Sequence, residues 1–464
     1  MPRQHPAPPA EFSRHDPRAT EARKARPVRW AVVGAVAGAT AGSLVAGAVS
    51  GLASYFARQV VTPARLRPED LEILAVVPSD RLTYEPAPDG AADVGHGRHR
   101  APGRTGLGWD VILPATEQTT VPGTYSLVFD GGRGHARIGE IVSFAPADGT
   151  VTRHVERIYE GNLHGAVRGR WSGAAYPTPA EVGYDYEEVE VPVLGGTSES
   201  WLVAGSHRRS TWAIMVHGRG SDRSEGLRAL PVVQQLGLTS LLLSYRNDGH
   251  APAAPDQRYG LGSTEWEDVE AAIDFALEHG AEDVVLFGWS MGGAICLQVV
   301  DRSHHAPRIA ALVLDGPVVD WIDVLAHQAR INRIPASVGR LGQWLLSNKA
   351  GRMVTGLAAP LDLKELNWVA RAEHLRTPTL ILHSEDDDFV PVGPSAALAE
   401  LNPQVVAFER FTRARHTQEY NVDPERWDDT VRSWLGGRLD APSPRRAQQH
   451  PADRPAERPG AEAL

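Results

Sequence analysis

The sequence has little of several features that would indicate a function. Its one cysteine, Cys296, cannot form an intramolecular disulfide. The formal net charge is −10 and no basic stripe with interleaved aromatics is present, which argues against a nucleic-acid partner. No G-x-G-x-x-G or Walker motif and no Cys/His cluster with metal-ligand spacing occurs, so neither a cofactor nor a metal is predicted. What remains is an ordinary globular composition, with 42% hydrophobic and 22% charged residues in 464.

The most informative segment is G-W-S-M-G, Gly288 to Gly292. It follows an apolar run typical of a strand (284–287) and precedes a segment typical of a helix (293–297). A strand, a sharp turn and a helix, with Ser290 at the apex, is the pattern of a nucleophile elbow. Glycines flank such a serine because larger side chains would collide with the strand and the helix. The alternative is a glycine-rich turn that holds a solvated serine, and the flanking elements favour the elbow.

An acidic loop and a histidine loop follow downstream, each after its own predicted strand. The apolar run 377–383 leads into Ser384-Glu385-Asp386-Asp387-Asp388. The next predicted strand, 405–411, is followed by Arg415-His416-Thr417. The order serine, acid, histidine is the one in which successive strands of one sheet can bring the three side chains together. The residues alone do not choose among the three adjacent aspartates.

These segments together resemble the α/β-hydrolase family, over about residues 185–437. His383 to Pro391 is similar to the family's H-G-x-x-D-x-x-V-P acid loop, with Ser384 where glycine is usual. That resemblance selects Asp387 as the acid of a Ser-His-Asp triad. The Arg415-His416-Thr417 segment is similar to the family's G-x-x-H loop, which implies His416 as the base and Ser290 as the nucleophile.

The resemblance also implies an oxyanion hole made of two backbone N–H groups. One belongs to Met291, directly after the nucleophile, and the other to Arg219, in the H-G-x-G-like loop that follows the apolar run 213–216. His217, in the same loop, is interpreted as a buried structural residue at the end of its strand.

The fold class predicted is α/β, an α/β-hydrolase fold with a mostly parallel central sheet over residues 181–438. A helical cap insertion is expected at about 317–372, where apolar residues recur at helical spacing. Upstream, residues 57–180 contain short alternating runs separated by Gly, Pro and Asp, and predict a small β-rich accessory region. The tail, 439–464, is rich in Pro, Arg and Ala and is predicted to be disordered.

The N-terminus suggests a membrane segment. Residues 1–29 are predicted to be a disordered basic leader. Residues 30–56 then carry no charge over 27 positions, enough for a helix to span a hydrocarbon core of roughly 30 Å. An uncleaved signal anchor is expected, with the protein attached to the membrane through this helix and the hydrolase domain outside the cytoplasm. The alternatives are a secreted protein, cleaved near Ala46-Gly47-Ala48, and a soluble cytosolic chain.

The function predicted is a serine hydrolase that cleaves carboxylic esters of a small-molecule acyl substrate through an acyl-enzyme, without a cofactor. A serine peptidase of the prolyl-oligopeptidase type is an alternative, because such enzymes also carry an upstream β-region. A catalytically silent binding protein on the same fold is an alternative of another class. The sequence does not indicate the identity of the acyl group or the oligomeric state.

Overall fold

The structure, a computed structural model, describes residues 49–63, 68–85, 108–206 and 209–440. These residues form two β-sheets, with most of the helices packed on the second sheet. Residues 1–29 and 441–464, which contain the predicted leader and most of the predicted tail, lie outside the described residues.

The first sheet is the β-rich upstream region. It has seven strands in the order β1-β7-β4-β5-β6-β3-β2, and every pair is antiparallel. Side chains that alternate along the strands, such as Val151 and Val155, point into a small core of their own with Leu127 and Phe129. The strands are β1 (Leu71–Glu72), β2 (Ala75–Ser79), β3 (Gly108–Pro114), β4 (Tyr125–Phe129), β5 (Gly134–Ala145), β6 (Thr150–Glu160) and β7 (Arg168–Ser172).

The second sheet has eight strands in the order β15-β14-β13-β12-β10-β11-β9-β8. The last two are antiparallel to their neighbours and the other six are parallel, which confirms the mostly parallel central sheet. Its central strands β10, β13 and β14 are buried at every residue except Ala310, as expected for a sheet covered on both faces. The strands are β8 (Glu187–Val193), β9 (Gly196–Val203), β10 (Thr211–Val216), β11 (Thr239–Leu243), β12 (Asp283–Trp289), β13 (Ile309–Asp315), β14 (Thr379–Ser384) and β15 (Val406–Phe411).

Helices cover both faces of this sheet and create two apolar layers. One layer includes Leu230 and Trp427, and the other includes Ile273 and Ile295. The helices outside the insertion are α2 (Pro179–Val182), α3 (Leu230–Gln235), α4 (Trp266–Glu278), α5 (Met291–Arg302), α9 (Val392–Leu401), α10 (Glu419–Val422) and α11 (Pro424–Asp440). Short 3₁₀ helices occupy Leu163–Gly165, Arg223–Ala229, Ala306–Arg308, Lys349–Gly351 and Ala372–His374.

The segment predicted as a helical insertion, between β13 and β14, contains α6 (Trp321–Ile331), α7 (Ala336–Ser347) and α8 (Arg352–Thr355). Asp320 caps α6 by accepting hydrogen bonds from the backbone N–H groups of Ile322 and Asp323. The apolar stripe of α6 is buried against the core, including Trp321 and Leu325. Most of the apolar periodicity of this segment therefore reflects packing onto the hydrolase core.

Helix α1, residues 49–61, corrects the expectation for the N-terminus. The predicted membrane attachment and single-pass localisation are wrong: within the described ranges no helix is both long and apolar enough to cross a bilayer. Residues 30–48 of the predicted span lie outside the described residues. Of the rest of the span, Ala53 and Phe56 are buried in the protein, and a Cβ at Gly342 of α7 would lie 3.0 Å from the Phe56 ring. These two positions therefore pack against protein, while Leu52 and Tyr55 are exposed. Secretion stays a prediction.

The register of the parallel strands brings their carboxyl ends to one edge. Val216 at the end of β10 pairs with Gly288, and Trp289 pairs with Asp315 at the end of β13. At the end of β14, Ser384 pairs with the last residue of β15. The loops that follow these strands therefore meet at this edge, where an α/β sheet usually carries its site.

Candidate active site

Ser290 occupies a sharp turn between β12, which ends at Trp289, and α5, which begins at Met291. Its φ of 52° and ψ of −116° are a strained conformation for a residue with a side chain. A Cβ at Gly292 would lie 2.0 Å from the carbonyl oxygen of Val216, and one at Gly288 would lie 2.7 Å from that of Gly292. Both glycines are needed for the backbone to pass this point, which is the physical reason for the G-x-S-x-G pattern.

His416 lies between the serine and an aspartate. Its Nε2 is 2.8 Å from Ser290 Oγ, and its Nδ1 is 2.8 Å from Asp387 Oδ2. The aspartate follows β14 and the histidine follows β15, so the parallel pairing of these strands sets the two loops side by side. The structure therefore brings together the three side chains that the sequence predicted as a triad.

The three adjacent aspartates of the acid loop have three different partners. Asp387 Oδ1 accepts hydrogen bonds from the backbone N–H groups of Phe389 and Val390, both at 2.8 Å, and its Oδ2 faces His416. Asp386 accepts from the backbone N–H of Arg413 at 2.6 Å. Asp388 accepts from a glutamine of the β-rich region. Of the three, Asp387 is the one bonded to the histidine.

The charge states of Asp387 and His416 depend on each other. Burial raises the pKa of Asp387, but the charge of His416 and the hydrogen bonds of His416 and His383 outweigh it and hold that pKa well below its ordinary value. Burial lowers the pKa of His416, but the Asp387 carboxylate outweighs it and the net shift is upward. Asp387 is thus ionised at neutral pH. It favours the tautomer in which Nδ1–H donates to it and Nε2 accepts from the Ser290 hydroxyl.

The two residues predicted for an oxyanion hole lie on either side of the serine. Met291 is the first residue of α5, where a backbone N–H has no carbonyl partner within its own helix. Arg219 follows β10, in a loop so close to the serine that a Cβ at Gly218 would lie 3.1 Å from Ser290 Cβ. The backbone N–H of Gly218 donates to Glu225 Oε2 at 2.6 Å and holds the loop there. The oxyanion-hole roles themselves stay a prediction.

Residues 213–461, more than half of the chain, match the Alpha/beta hydrolase family. The chain belongs to the alpha/beta hydrolase family. Residues 100–172 of the hydrolase match a second family, a domain of unknown function (DUF8805), which spans β3 to β7 of the antiparallel sheet.

Several relatives are similar to parts of the hydrolase. The uncharacterized protein YqkD of Bacillus subtilis (strain 168) is 21% identical over 58% of this chain and 80% of its own length. A pimeloyl-[acyl-carrier protein] methyl ester esterase of Aromatoleum aromaticum is 26% identical over 32% of this chain and 72% of its own length. A solved structure of the Pyrococcus furiosus esterase Pf2001 is 17% identical, covers 57% of this chain and 94% of that chain, and gives a TM-score of 0.44.

The side chain of Arg219 connects the hydrolase core to helix α1. Its guanidinium donates to the backbone carbonyls of Gln59 at 2.6 Å, Val60 at 2.9 Å and Thr62 at 3.3 Å. A cation at the carboxyl end of a helix also interacts favourably with the helix dipole. Sequence reasoning missed this contact because the partners are about 160 positions apart and no motif marks it.

His217 is buried, as interpreted from the sequence. Its Nε2 is 3.1 Å from Asp248 Oδ2, and its ring stacks on Tyr245 at 4.1 Å. Tyr245 OH also donates to the carbonyl of Gly218 at 3.2 Å, so the stacked pair contacts the loop that carries Arg219.

A buried pair of carboxyl groups, Asp315 and Glu419, was not predicted. Asp315 accepts from Trp427 Nε1 at 2.8 Å, and Glu419 accepts from the backbone N–H of Ser384 at 2.8 Å. Burial, together with the neighbouring Asp315, raises the pKa of Glu419 well above its ordinary value. This shift favours the neutral form of Glu419, which bonds to the start of the acid loop while Asp315 bonds to α11. No motif contains either residue.

Another group without a sequence signal lies outside the cleft that Ser290 faces. Asp274, His304 and His305 have ligand atoms within 4.8 Å of one another at the surface. His305 Nε2 is already 2.6 Å from Asp274, and His304 Nδ1 is 3.0 Å from Glu270. We interpret the group as surface ion pairs.

The serine and the histidine open into a cleft of about 450 Å³ between the two sheets. The second sheet and its loops supply ten lining residues: Gly218, Arg219, Gly220, Ser221, Glu225, Arg228, Ser290, His416, Thr417 and Gln418. The β-rich region supplies the others: Gln118, Trp171, Ser172, Gly173 and Ala174.

Proposed function

We propose that this hydrolase cleaves carboxylic esters through an acyl-enzyme formed on Ser290, with His416 as the base and Asp387 as the acid that orients it. The observation that carries the proposal is the continuous pair of 2.8 Å contacts from Ser290 through His416 to Asp387. The strained backbone of Ser290 supports its role as the nucleophile, and the turn that carries it requires glycine at positions 288 and 292. The family is one of hydrolases, and one relative of the chain is named an esterase.

Acylation begins when Ser290 Oγ attacks the carbonyl carbon of the ester. His416 Nε2 takes the hydroxyl proton, and Asp387 stabilises the imidazolium that results. The negative charge on the carbonyl oxygen is stabilised by the N–H groups of Met291 and Arg219. When the tetrahedral intermediate collapses, the C–O bond to the alcohol breaks and His416 gives its proton to the departing oxygen.

Deacylation repeats these steps with water in place of serine. His416 accepts a proton from the water as its oxygen attacks the acyl carbon. The bond to Ser290 Oγ breaks, the serine regains a proton from His416, and the carboxylic acid leaves. Every proton moves through one imidazole, so the scheme uses no cofactor.

The peptidase alternative keeps one observation in its favour. The β-rich region borders the cleft, as an accessory domain that selects peptides would. The same serine, histidine and aspartate would serve an amide, so a substrate panel has to decide between the two.

The deciding experiment uses a fluorophosphonate probe and a panel of p-nitrophenyl esters and aminoacyl amides on the full chain. We expect one labelled peptide, containing Ser290, and ester turnover well above amide turnover. Ser290→Ala should lose the label and at least about 10⁴-fold in turnover, whereas Ser347→Ala, at an exposed position of α7, should retain both.

Three other results of this experiment would contradict the proposal. Undiminished turnover in a folded Ser290→Ala variant would remove this serine from the reaction. Labelling with turnover of amides alone would favour the peptidase. A folded wild type that is neither labelled nor active would favour a binding protein.

A further inference from the structure

One wall of the cleft does not belong to the hydrolase core. Gln118, in the loop between β3 and β4, and the segment from Trp171 to Ala174, at the end of β7, come from the β-rich region, and they line the same cleft as Ser290 and His416. None of the described lining residues comes from helices α6 to α8. The helical insertion was expected to form the cap over the site. In the structure, the β-rich region rather than this insertion borders the cleft.

We propose that the β-rich region completes the active site, with Gln118 as a positioning residue for the His416 and Asp387 loops and Trp171–Ala174 as a substrate-binding wall that selects small, polar esters. This inference rests on the proposed function, because it assigns a substrate class to the same serine.

Gln118 connects the two loops that carry the acid and the base. Its Nε2 donates to Asp388 Oδ2 at 3.2 Å, and its Oε1 accepts from Gln418 Nε2 at 3.0 Å. One bonded residue directly follows Asp387, and the other is two positions after His416. A single side chain of the β-rich region thus connects the two loops.

Further contacts hold the histidine loop to the same region. Arg415 Nη2 lies 3.3 Å from a carboxylate oxygen of Glu117. Asn421 Nδ2 donates to the backbone carbonyls of Thr124 at 2.6 Å and Gly173 at 2.8 Å. These anchors lie on both sides of His416 in the chain, so the β-rich region restrains the loop at each end.

The wall itself is fixed from behind by Arg153. This buried side chain donates to the carbonyl oxygens of Thr119 at 2.9 Å and Val121 at 2.7 Å, in the segment that follows Gln118. Its guanidinium lies 5.3 Å from the centre of the Trp171 ring, within the range of a cation–π contact. Burial lowers the pKa of Arg153 to about 10, which leaves it charged at neutral pH. One internal cation therefore contacts both the Trp171 ring and the backbone of the segment that follows Gln118.

The chemistry of the lining indicates the substrate class. Of the described lining residues, Trp171 and Ala174 alone have apolar side chains, while the rest are glycines or carry amide, hydroxyl, imidazole or charged groups. A long acyl chain gains affinity by burying methylene groups against apolar walls, at about 0.8 kcal/mol each. Such walls are scarce here, so a short acyl group and a polar alcohol fit the cleft better than a lipid.

The positioning role is tested with Gln118→Ala and Gln118→Met, the second of which keeps the side-chain length without the amide. We expect kcat for p-nitrophenyl acetate, and the rate of fluorophosphonate labelling at Ser290, to fall about tenfold in both variants, the effect of about one lost hydrogen bond. KM and the thermal midpoint should change little. Asp148→Ala, in the exposed turn between β5 and β6, is the control and should match the wild type. An unchanged kcat in both Gln118 variants would overturn the positioning role.

The substrate class is tested with p-nitrophenyl acetate, butyrate and palmitate on the full chain. We expect kcat/KM for acetate or butyrate to exceed that for palmitate by at least about tenfold. Trp171→Ala should shift the ratio toward palmitate, because loss of the largest side chain of the wall opens space for a long acyl chain. Trp171→Phe, which keeps a ring beside Arg153, should stay near the wild-type ratio. Palmitate preference in the wild type, or a Trp171→Ala ratio that does not change, would overturn the wall. Ser290 labelling and ester turnover in the same samples separate that outcome from failure of the proposed function, in which the label or the ester turnover would be absent.

Discussion

Two regions are added to the hydrolase core, and they contribute to it differently. The helical insertion buries its apolar residues against the core, including Trp321 and Leu325. The β-rich region presents Gln118 and Ser172 to the cleft. The insertion contacts the acid loop through α6, where Gln328 Nε2 donates to the carbonyl of Phe389 at 2.7 Å and His327 Nε2 lies 3.4 Å from the carbonyl oxygen of Asp388.

The difference shows why apolar periodicity is a poor guide to which segment shapes a site. A helix with an apolar stripe must bury it, and the core is the nearest surface. A wall that faces a polar cleft needs amides and hydroxyls, and such residues in a short strand or turn look like any surface segment. The region with the stronger sequence pattern is therefore the one that contributes less to the cleft.

The largest effect we expect concerns the core's own contribution to the site. Asp387→Asn should lower kcat by about 10³–10⁴-fold, because the amide no longer holds His416 in the productive tautomer. Asp386→Asn and Asp388→Asn should each cost less than about tenfold. Steady-state ester kinetics with fluorophosphonate labelling measures all three. A greater loss at Asp388, which is bonded to Gln118, would mean that the β-rich side controls the base more than the core does.

The next largest effect concerns the packing of α1 against the insertion. Phe56→Ala should lower the free energy of unfolding by about 3–5 kcal/mol, since it empties a buried site beside α7. Tyr55→Ala, next to it but 64% exposed, should change that free energy by less than about 0.5 kcal/mol. Urea denaturation measures both variants. Equal effects would contradict the buried position of α1.

A pair of tryptophans contrasts the two added regions directly. Trp344 of α7 is 49% exposed and is not among the residues that line the cleft. Trp344→Ala should therefore leave the ratio of acetate to palmitate turnover within about twofold of the wild type, unlike Trp171→Ala. If Trp344→Ala shifts the ratio more, the insertion is the cap after all.

The smallest effect we expect is a shift in the midpoint of the pH–rate profile. His416 must be neutral to act as a base, and Asp387 raises its pKa, so kcat/KM should rise with pH through a midpoint above about 6.5. The residual activity of Asp387→Asn should have its midpoint at lower pH, because the negative charge that raises the pKa of His416 is gone. A pH–rate profile in which the two midpoints coincide would contradict this coupling.

The same groups have opposite effects on the pH dependence of stability. Ionised Asp387, whose pKa is lowered, stabilises the fold above about pH 4, and this contribution is lost as the pH falls through its folded pKa. His416, whose pKa is raised, contributes stability that is present below about pH 6.5 and is lost as the pH rises through its folded pKa.

Sequence patterns predicted the parts of the molecule that short segments determine. Each predicted site side chain lies within a few residues of a strand end, and parallel strands end at a common edge, so the order of motifs was enough to place Ser290, Asp387 and His416 near one another. The choice of Asp387 over its neighbours depended on a family resemblance, because three adjacent carboxylates look alike until their partners are known.

The rest depends on contacts between distant segments. Gln118 meets Gln418 across 300 positions, and Glu419 meets Asp315 without any motif to mark either residue. The membrane prediction depended on composition alone, and an uncharged segment suits burial in lipid and burial in protein alike. In the part that the structure describes, Ala53 and Phe56 lie beside Gly342 of α7, a contact between distant segments that composition does not indicate.

The most direct test is to trap the acyl-enzyme. The full chain is mixed with excess p-nitrophenyl acetate, quenched in acid within the first turnovers and digested for mass spectrometry. We predict that the peptide containing Ser290 gains the mass of one acetyl group in the wild type, and that a His416→Ala variant, which lacks the base for acylation, shows little of this adduct in the same time. Ester turnover with no acetyl group on Ser290, or with the acetyl group on another residue, would contradict a reaction that runs through this serine.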